Sequence, residues 1–224
     1  MQIIAHRGAS LELPENTLMA FERAIEIGVD ALETDLLLTK DQKLVLRHDD
    51  LIQQGRKWYR VGDLTYKELT QIDAGNGQQI PLFEEFMELF GQRIPVMLDL
   101  KCFGLADLLI PWLQRKNYQS IHFTSFIHSE IRKLALAFPD KECSIVLASL
   151  PIDFKPLFES SHTRQVSLFR GYLNENHVRM LQYHDITVRI YPVNLPQEAD
   201  LFRSWNVDGI FTDDPGAIAN QNPV

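Results

Sequence analysis

The chain has 224 residues, 45% of them hydrophobic and 23% charged, the balance of a soluble globular protein with enough chain for a large core. Its 30 acidic against 22 basic residues give a formal charge of −8, which argues against a general nucleic-acid binder but leaves room for a small anion held by a local cationic cluster. Two cysteines exclude a disulfide framework, and no signal peptide or membrane span is visible, so the expectation is one cytoplasmic domain without stable membrane insertion.

Short apolar runs alternate with amphipathic stretches along the chain. The runs predict strands over 2–5, 31–38, 44–47, 96–100, 120–124, 143–147, 165–168, 187–191 and 209–211. Helical periodicity predicts helices over 17–27, 82–90, 105–115, 129–138, 153–160, 175–183 and 197–205. The first is the clearest: Leu18, Phe21, Ala24 and Ile25 recur on one face, and Gly28 supplies a stop. Alternating strands and helices imply a parallel sheet, and about eight such units imply a closed TIM-type (β/α)8 barrel, with an open doubly wound sheet as the rival. The segment 49–81 breaks the alternation. It contains Gly55, Gly62, Gly75 and Gly77 with one helix-like patch over 66–71, and reads as a small insertion overhanging the strand ends. The tail 220–224 is expected to fray.

Chemistry-bearing residues gather where the early strands end. His6 and Arg7 close the first run, and His48 closes a third. Glu33 and Asp35, two apart on a strand, share one face while Leu32, Thr34 and Leu36 take the other. Inward carboxylates need a cation, and oxygen-rich clusters suit the hard ions Mg²⁺ and Ca²⁺. The spacing repeats at Asp99 and Lys101, which read either as a structural ion pair or as a third metal ligand beside a phosphate-binding ammonium. Two histidines can divide proton transfer, one taking a proton from the nucleophile and the other giving one to the leaving alkoxide. Asn16 or Thr17 can cap the first helix, and Glu15 sits in a loop that can reach the metal site. His122, His128, His162, His177 and His184 lack a partner pattern and read as packing or surface residues.

These residues fall in a longer pattern. His6-Arg7-Gly8, Pro14-Glu15-Asn16-Thr17, Ala20-Phe21, Gly28-Val29-Asp30, Glu33-Thr34-Asp35, Thr39-Lys40-Asp41 and His48-Asp49 together resemble the glycerophosphodiester phosphodiesterase family. Later echoes are Ile80-Pro81-Leu82-Phe83-Glu84-Glu85, Asp99-Leu100-Lys101, Ser125-Phe126 and the stretch from Val207 to Pro215. The resemblance implies a TIM-type barrel, one divalent metal ion and a small-molecule glycerophosphodiester substrate split into glycerol 3-phosphate and an alcohol. It implies His6 and His48 as the acid–base pair, in either assignment, and Glu33, Asp35 and Asp99 as metal ligands. Arg7 and Lys101 would hold phosphate. It also implies that a substrate hydroxyl attacks phosphorus first, giving a cyclic phosphate that water opens.

The chain departs from the common family form at three places. Asp99 stands where the family usually has Glu, the run after His48-Asp49 is Asp50-Leu51-Ile52-Gln53-Gln54-Gly55, and a late aromatic motif reads Tyr191-Pro192-Val193-Asn194. Two alternatives stand beside the main reading. One is lysophospholipase D-like hydrolysis of a lipid diester, which an apolar mouth around Trp58 and Tyr59 would favour. The other is a non-catalytic phosphoryl-ligand binding barrel. Association into a homo-oligomer stays open.

Overall fold

The computed structural model describes residues 1–116 and 118–219; the tail expected to fray lies outside them. Eight parallel strands close into a barrel: β1 (Gln2–His6), β2 (Ala31–Leu38), β6 (Val96–Leu100), β7 (Ile121–Ser125), β8 (Glu142–Leu147), β9 (Gln165–Phe169), β10 (Thr187–Tyr191) and β11 (Gly209–Thr212). Closure is explicit, because β1 pairs with β2 through Ala5 and Leu32 and with β11 through Ala5 and Thr212. The rival open sheet is thereby excluded.

Helices cover the outside: α1 (Leu18–Ile27), α3 (Phe83–Phe90), α4 (Leu105–Leu113), α5 (His128–Ala137), α6 (Lys155–Ser161), α7 (Glu175–Tyr183), α8 (Pro196–Ser204) and the short α9 (Pro215–Ala219). Thr17 caps α1 by accepting from the Ala20 amide, and Gly28 ends it in the left-handed conformation. The main core lies between staves and helices, where Phe21 packs on Phe86 and Phe90 at ring separations of 4.7 and 5.9 Å. Inside the barrel the apolar filling is small: Ile4, Ala31, Met97 and Phe211. Below them Arg189 spans the floor, donating to Gln165 and Glu142, while His122 pairs with Glu142.

The predicted strand over 44–47 exists but is not a stave. As β3 (Leu44–Leu46) it folds back antiparallel on β2, pairing Leu38 with Leu44 and Leu36 with Leu46. Only a tight turn joins them, tied by Lys43 N–H donating to Thr39 Oγ1, and so short a link cannot carry the crossover that parallel strands need. The segment 49–81 is more ordered than its composition suggested. It forms a hairpin, β4 (Leu51–Gln54) and β5 (Lys57–Arg60), and then α2 (Tyr66–Leu69), started by a Thr65–Glu68 capping box. Leu37, Val45, Ile52, Val61, Leu69 and Ile80 pack it onto the β2–β3 ribbon as a second small core. No helix among the described residues is long and apolar enough to cross a membrane. Cys102 and Cys143 are both free thiols.

Candidate active site

Strand register assembles the site. β1 places His6 beside Glu33, and β6 places Asp99 beside Asp35, so three strands bring their charged residues to one end of the barrel. Glu33, Asp35 and Asp99 are all buried, and one oxygen from each lies within 4.8 Å of the others. Leu32 and Leu36, on the opposite face of β2, are in the outer core. The strand period thus divides β2 into a charged inner face and an apolar outer face.

A cavity of about 210 Å³ opens above the carboxylates. Its charged side carries His6, Arg7, Glu33, His48, Asp99 and Lys101. Phe126, Phe169, Tyr191 and Phe211 form an aromatic wall beside Pro192, with Tyr191 6.0–6.4 Å from each of the three phenyl rings. The buried hydroxyls of Thr124 and Ser167 also line the cavity, without a hydrogen-bond partner among the described residues. A larger groove of about 420 Å³ lies elsewhere, around Phe154, Phe158, His162 and His184. It has no comparable cluster of buried carboxylates, so the chemistry rather than the volume identifies the site.

Each carboxylate is held differently. Asn16 donates from Nδ2 to Asp35 Oδ2 at 2.8 Å and accepts the Thr34 hydroxyl at 2.7 Å. Asn16 therefore supports the acidic cluster while Thr17 alone caps the helix. Lys101 Nζ bridges Asp35 Oδ1 at 2.9 Å and Asp99 Oδ2 at 2.5 Å. The Arg7 guanidinium lies between Asp35, 3.2 Å from Nε, and Glu15, 2.7 Å from Nη1. Glu15 thus meets Arg7 rather than the carboxylate cluster. Burial pushes Asp35 up, but Lys101 and Arg7 override it and hold the group below its usual range. Glu33 receives the Arg7 amide at 3.0 Å; burial and the neighbouring Asp35 charge push it up to about 8. Glu33 therefore keeps its proton while no further cation is near. Once that proton leaves, three carboxylates face two cations and the cluster is short of positive charge.

A divalent cation fits that deficit. The donor set is all hard oxygen, and Asp99 Oδ1 is buried with no hydrogen-bond partner among the described residues. Glu33, Asp35 and Asp99 form a candidate metal centre.

The backbone at the entrance is strained. Arg7 has φ +61°, in the left-handed region, and Gly8 follows at +83°. A Cβ on Gly8 would lie 2.7 Å from the Ala20 carbonyl carbon, so only glycine lets β1 turn beneath α1 there.

Both histidines are oriented by carboxylates. His6 Nδ1 lies 2.6 Å from Asp213 Oδ1, and His48 Nδ1 lies 2.7 Å from Asp49 Oδ1. A carboxylate only accepts, so Nδ1 carries the hydrogen in each ring and Nε2 is the nitrogen left for proton transfer. Asp213 and Asn194 are absent from the sequence-derived site. Their only signal was the late Thr212-Asp213-Asp214-Pro215 and Val193-Asn194 stretches, which carry no periodicity pointing to β1. His128 instead contacts the Val146 carbonyl at 3.0 Å, and His122 lies on the barrel floor, both outside the cavity.

Comparison with known proteins gives the same family. The profile of the Glycerophosphoryl diester phosphodiesterase family matches residues 6–142. A glycerophosphodiester phosphodiesterase of Caldanaerobacter subterraneus subsp. tengcongensis is 30% identical, over 97% of this chain and 96% of its own length. One of Bacillus altitudinis is also 30% identical, over 96% of this chain and 95% of its own. The structure of an Oleispira antarctica phosphodiesterase in complex with the product sn-glycerol-3-phosphate superposes with a TM-score of 0.88 at 23% identity, covering 99% of this chain and 97% of that one. This chain belongs to the glycerophosphoryl diester phosphodiesterase family and is an enzyme of phosphodiester hydrolysis on a closed (β/α)8 barrel.

Proposed function

We propose that this enzyme splits glycerophosphodiesters into glycerol 3-phosphate and an alcohol, with His6 and His48 as acid and base and with one divalent ion, Mg²⁺ or Ca²⁺. The observation that carries the reading is the meeting of two carboxylate-oriented histidines with the Glu33–Asp35–Asp99 cluster around one cavity of about 210 Å³.

The protein's own groups divide the work. His6 and His48 each present Nε2 while a carboxylate holds Nδ1, so one ring can accept the nucleophile's proton and the other protonate the departing alkoxide. Such help is worth roughly 10²–10⁴-fold, far less than phosphate ester hydrolysis demands, so charge neutralisation carries much of the remainder. Arg7 engages only Nε and Nη1 with its two carboxylate partners, which leaves N–H groups of its fork for a phosphoryl oxygen. Lys101 supplies a second cation in the same cavity. The unpartnered hydroxyls of Thr124 and Ser167 offer hydrogen bonds to a polyol. A divalent ion held by Glu33, Asp35 and Asp99 would supply Lewis-acid polarisation and charge neutralisation at phosphorus.

The test is release of glycerol 3-phosphate from glycerophosphocholine with Mg²⁺, with Ca²⁺ and with chelator. His6→Ala, His48→Ala and Glu33→Ala should each remove turnover from a folded protein. Full activity in a folded Glu33→Ala protein sinks the metal assignment.

A further inference from the structure

The connections leaving the catalytic end of the barrel carry an uneven load of exposed apolar side chains. Leu11 follows β1, Phe103 follows β6, Phe126 follows β7, Ile152 follows β8, Tyr172 follows β9 and Leu195 follows β10, and every one is more than half exposed. Trp58, 61% exposed, adds a seventh from the β4–β5 hairpin. Among the other large apolar side chains of the described residues, only Leu136 and Tyr183 are as exposed, and both lie on outer helices. Scattered exposed apolar residues are normal, but one from nearly every connection at a single end is a patterned surface. Because the eight barrel strands are all parallel, those connections emerge together around the mouth that holds His6 and His48.

Charge narrows the choice of occupant. The chain carries −8 overall, yet the hairpin tip beside Trp58 presents Arg56 and Lys57, exposed and with no ion pair among the described residues. Three acidic side chains of the same rim are engaged, Asp50 with Arg60, Glu15 with Arg7 and Glu198 with Arg170, while Asp153 beside Ile152 is exposed, so the cationic excess is confined to the hairpin tip. The hairpin begins three residues after His48, and Val61 N–H, just past its end, donates to the Asp50 carbonyl, so both its ends are fixed at the catalytic end. A tryptophan flanked by cations within a ring of apolar side chains is the composition of a protein surface that sits at an anionic lipid–water boundary. A linear peptide would need a groove, whereas these side chains encircle an opening.

We propose that the catalytic end of this barrel docks on anionic lipid surfaces through the Arg56-Lys57-Trp58 hairpin tip and the apolar ring, so that diesters carried in such a surface reach the cavity directly. The inference rests on reading that cavity as a glycerophosphodiester site. It extends the reading to single-chain lipid diesters presented at an interface.

Flotation with vesicles of phosphatidylcholine alone, or mixed with phosphatidylglycerol, tests it on the full chain. The protein should float with the mixed vesicles, less so as salt rises, with a blue shift of tryptophan emission that Trp58→Ala removes. A basic residue at an anionic surface is worth roughly fivefold, so Arg56→Glu with Lys57→Glu should cut partitioning by at least about 25-fold. Ile152→Ser should weaken it further. All these variants should hydrolyse water-soluble glycerophosphocholine at the wild-type rate, while hydrolysis of lysophosphatidylglycerol in the same vesicles falls with binding. Wild-type protein that stays in solution with anionic vesicles overturns the proposal. So do hairpin variants that float as wild type does, or light scattering showing a dimer that Ile152→Ser dissociates, which would assign the ring to a second copy. Vesicle binding without turnover of any diester would instead fault the catalytic reading and leave the docking surface standing.

Discussion

His6 Nδ1 and Asp213 Oδ1 lie 2.6 Å apart although 207 residues separate them, because β1 and β11 are neighbours in the closed barrel. Asn194 and Ser10 donate to the same carboxylate at 2.7 and 3.2 Å. Burial pushes Asp213 up, but these three partners hold it down at about 2, so it is a carboxylate at any working pH. For His6, burial alone would lower the pKa; the Asp213 bond and the Glu33 charge outweigh it and raise the ring above its ordinary value. Asp213→Asn should therefore lower the His6 pKa and cost about 10²-fold in kcat, the scale of one acid–base contribution. The check is a pH–rate profile, whose limb from His6 should move to lower pH with KM little changed. An unmoved profile would reduce Asp213 to packing.

Metal removal should be visible without any substrate. A divalent ion at a hundredfold excess over its Kd adds about 2.7 kcal/mol to stability, and roughly 5–10 °C to Tm for a chain of this size. Differential scanning calorimetry with Mg²⁺, Ca²⁺ or chelator measures it, and Glu33→Gln should abolish most of the gain. The sign with pH follows from Glu33, raised from 4.5 to about 8. Its proton is bound in the folded metal-free protein and must leave when a cation binds. The metal-induced rise in Tm should thus grow as pH climbs through about 8.

Lys101 is the only lysine bridging two of the three buried carboxylates among the described residues. Lys101→Met strips the cation from Asp35 and Asp99 and should destabilise the chelated protein by about 3–5 kcal/mol, the cost of leaving buried charge unpaired. Urea unfolding measures it. Added Mg²⁺ or Ca²⁺ should restore part of the loss, whereas a purely structural lysine would show no such rescue.

The barrel floor should sense acid. Burial lowers the His122 pKa to about 4 even though Glu142 Oε2, 2.9 Å away, favours the charged ring. The folded state thus keeps this ring neutral, while the unfolded chain binds a proton near 6.5. Its contribution is complete above 6.5 and is lost as pH falls toward 4, up to about 3 kcal/mol in all. Glu33, raised to about 8, works in the opposite sense over the same range, so the loss is read as the difference between wild type and His122→Gln in urea unfolding at pH 7 and pH 5. The wild type should lose more, or gain less, than the variant.

The amino-acid sequence by itself determined the alternation of strands and helices, and the face on which Glu33, Asp35, Asp99 and Lys101 point. Both follow from local periodicity, which needs no knowledge of distant partners. It also placed His6 and His48 at strand ends. Tertiary structure decided the rest. Segment 44–47 had a strand's composition, yet the tight turn from β2 made it an antiparallel flap. Asn16, readable as a helix cap, was drawn to Asp35 by the packing of the β1–α1 loop on β2. Asp213 and Asn194 are joined to His6 only because barrel closure brings the last strand beside the first. Whether Asp99 meets Asp35 is a matter of register between β2 and β6, and a slip of one residue would turn that carboxylate to the outer face. Local pattern sets which way a side chain points; closure and register set what it meets.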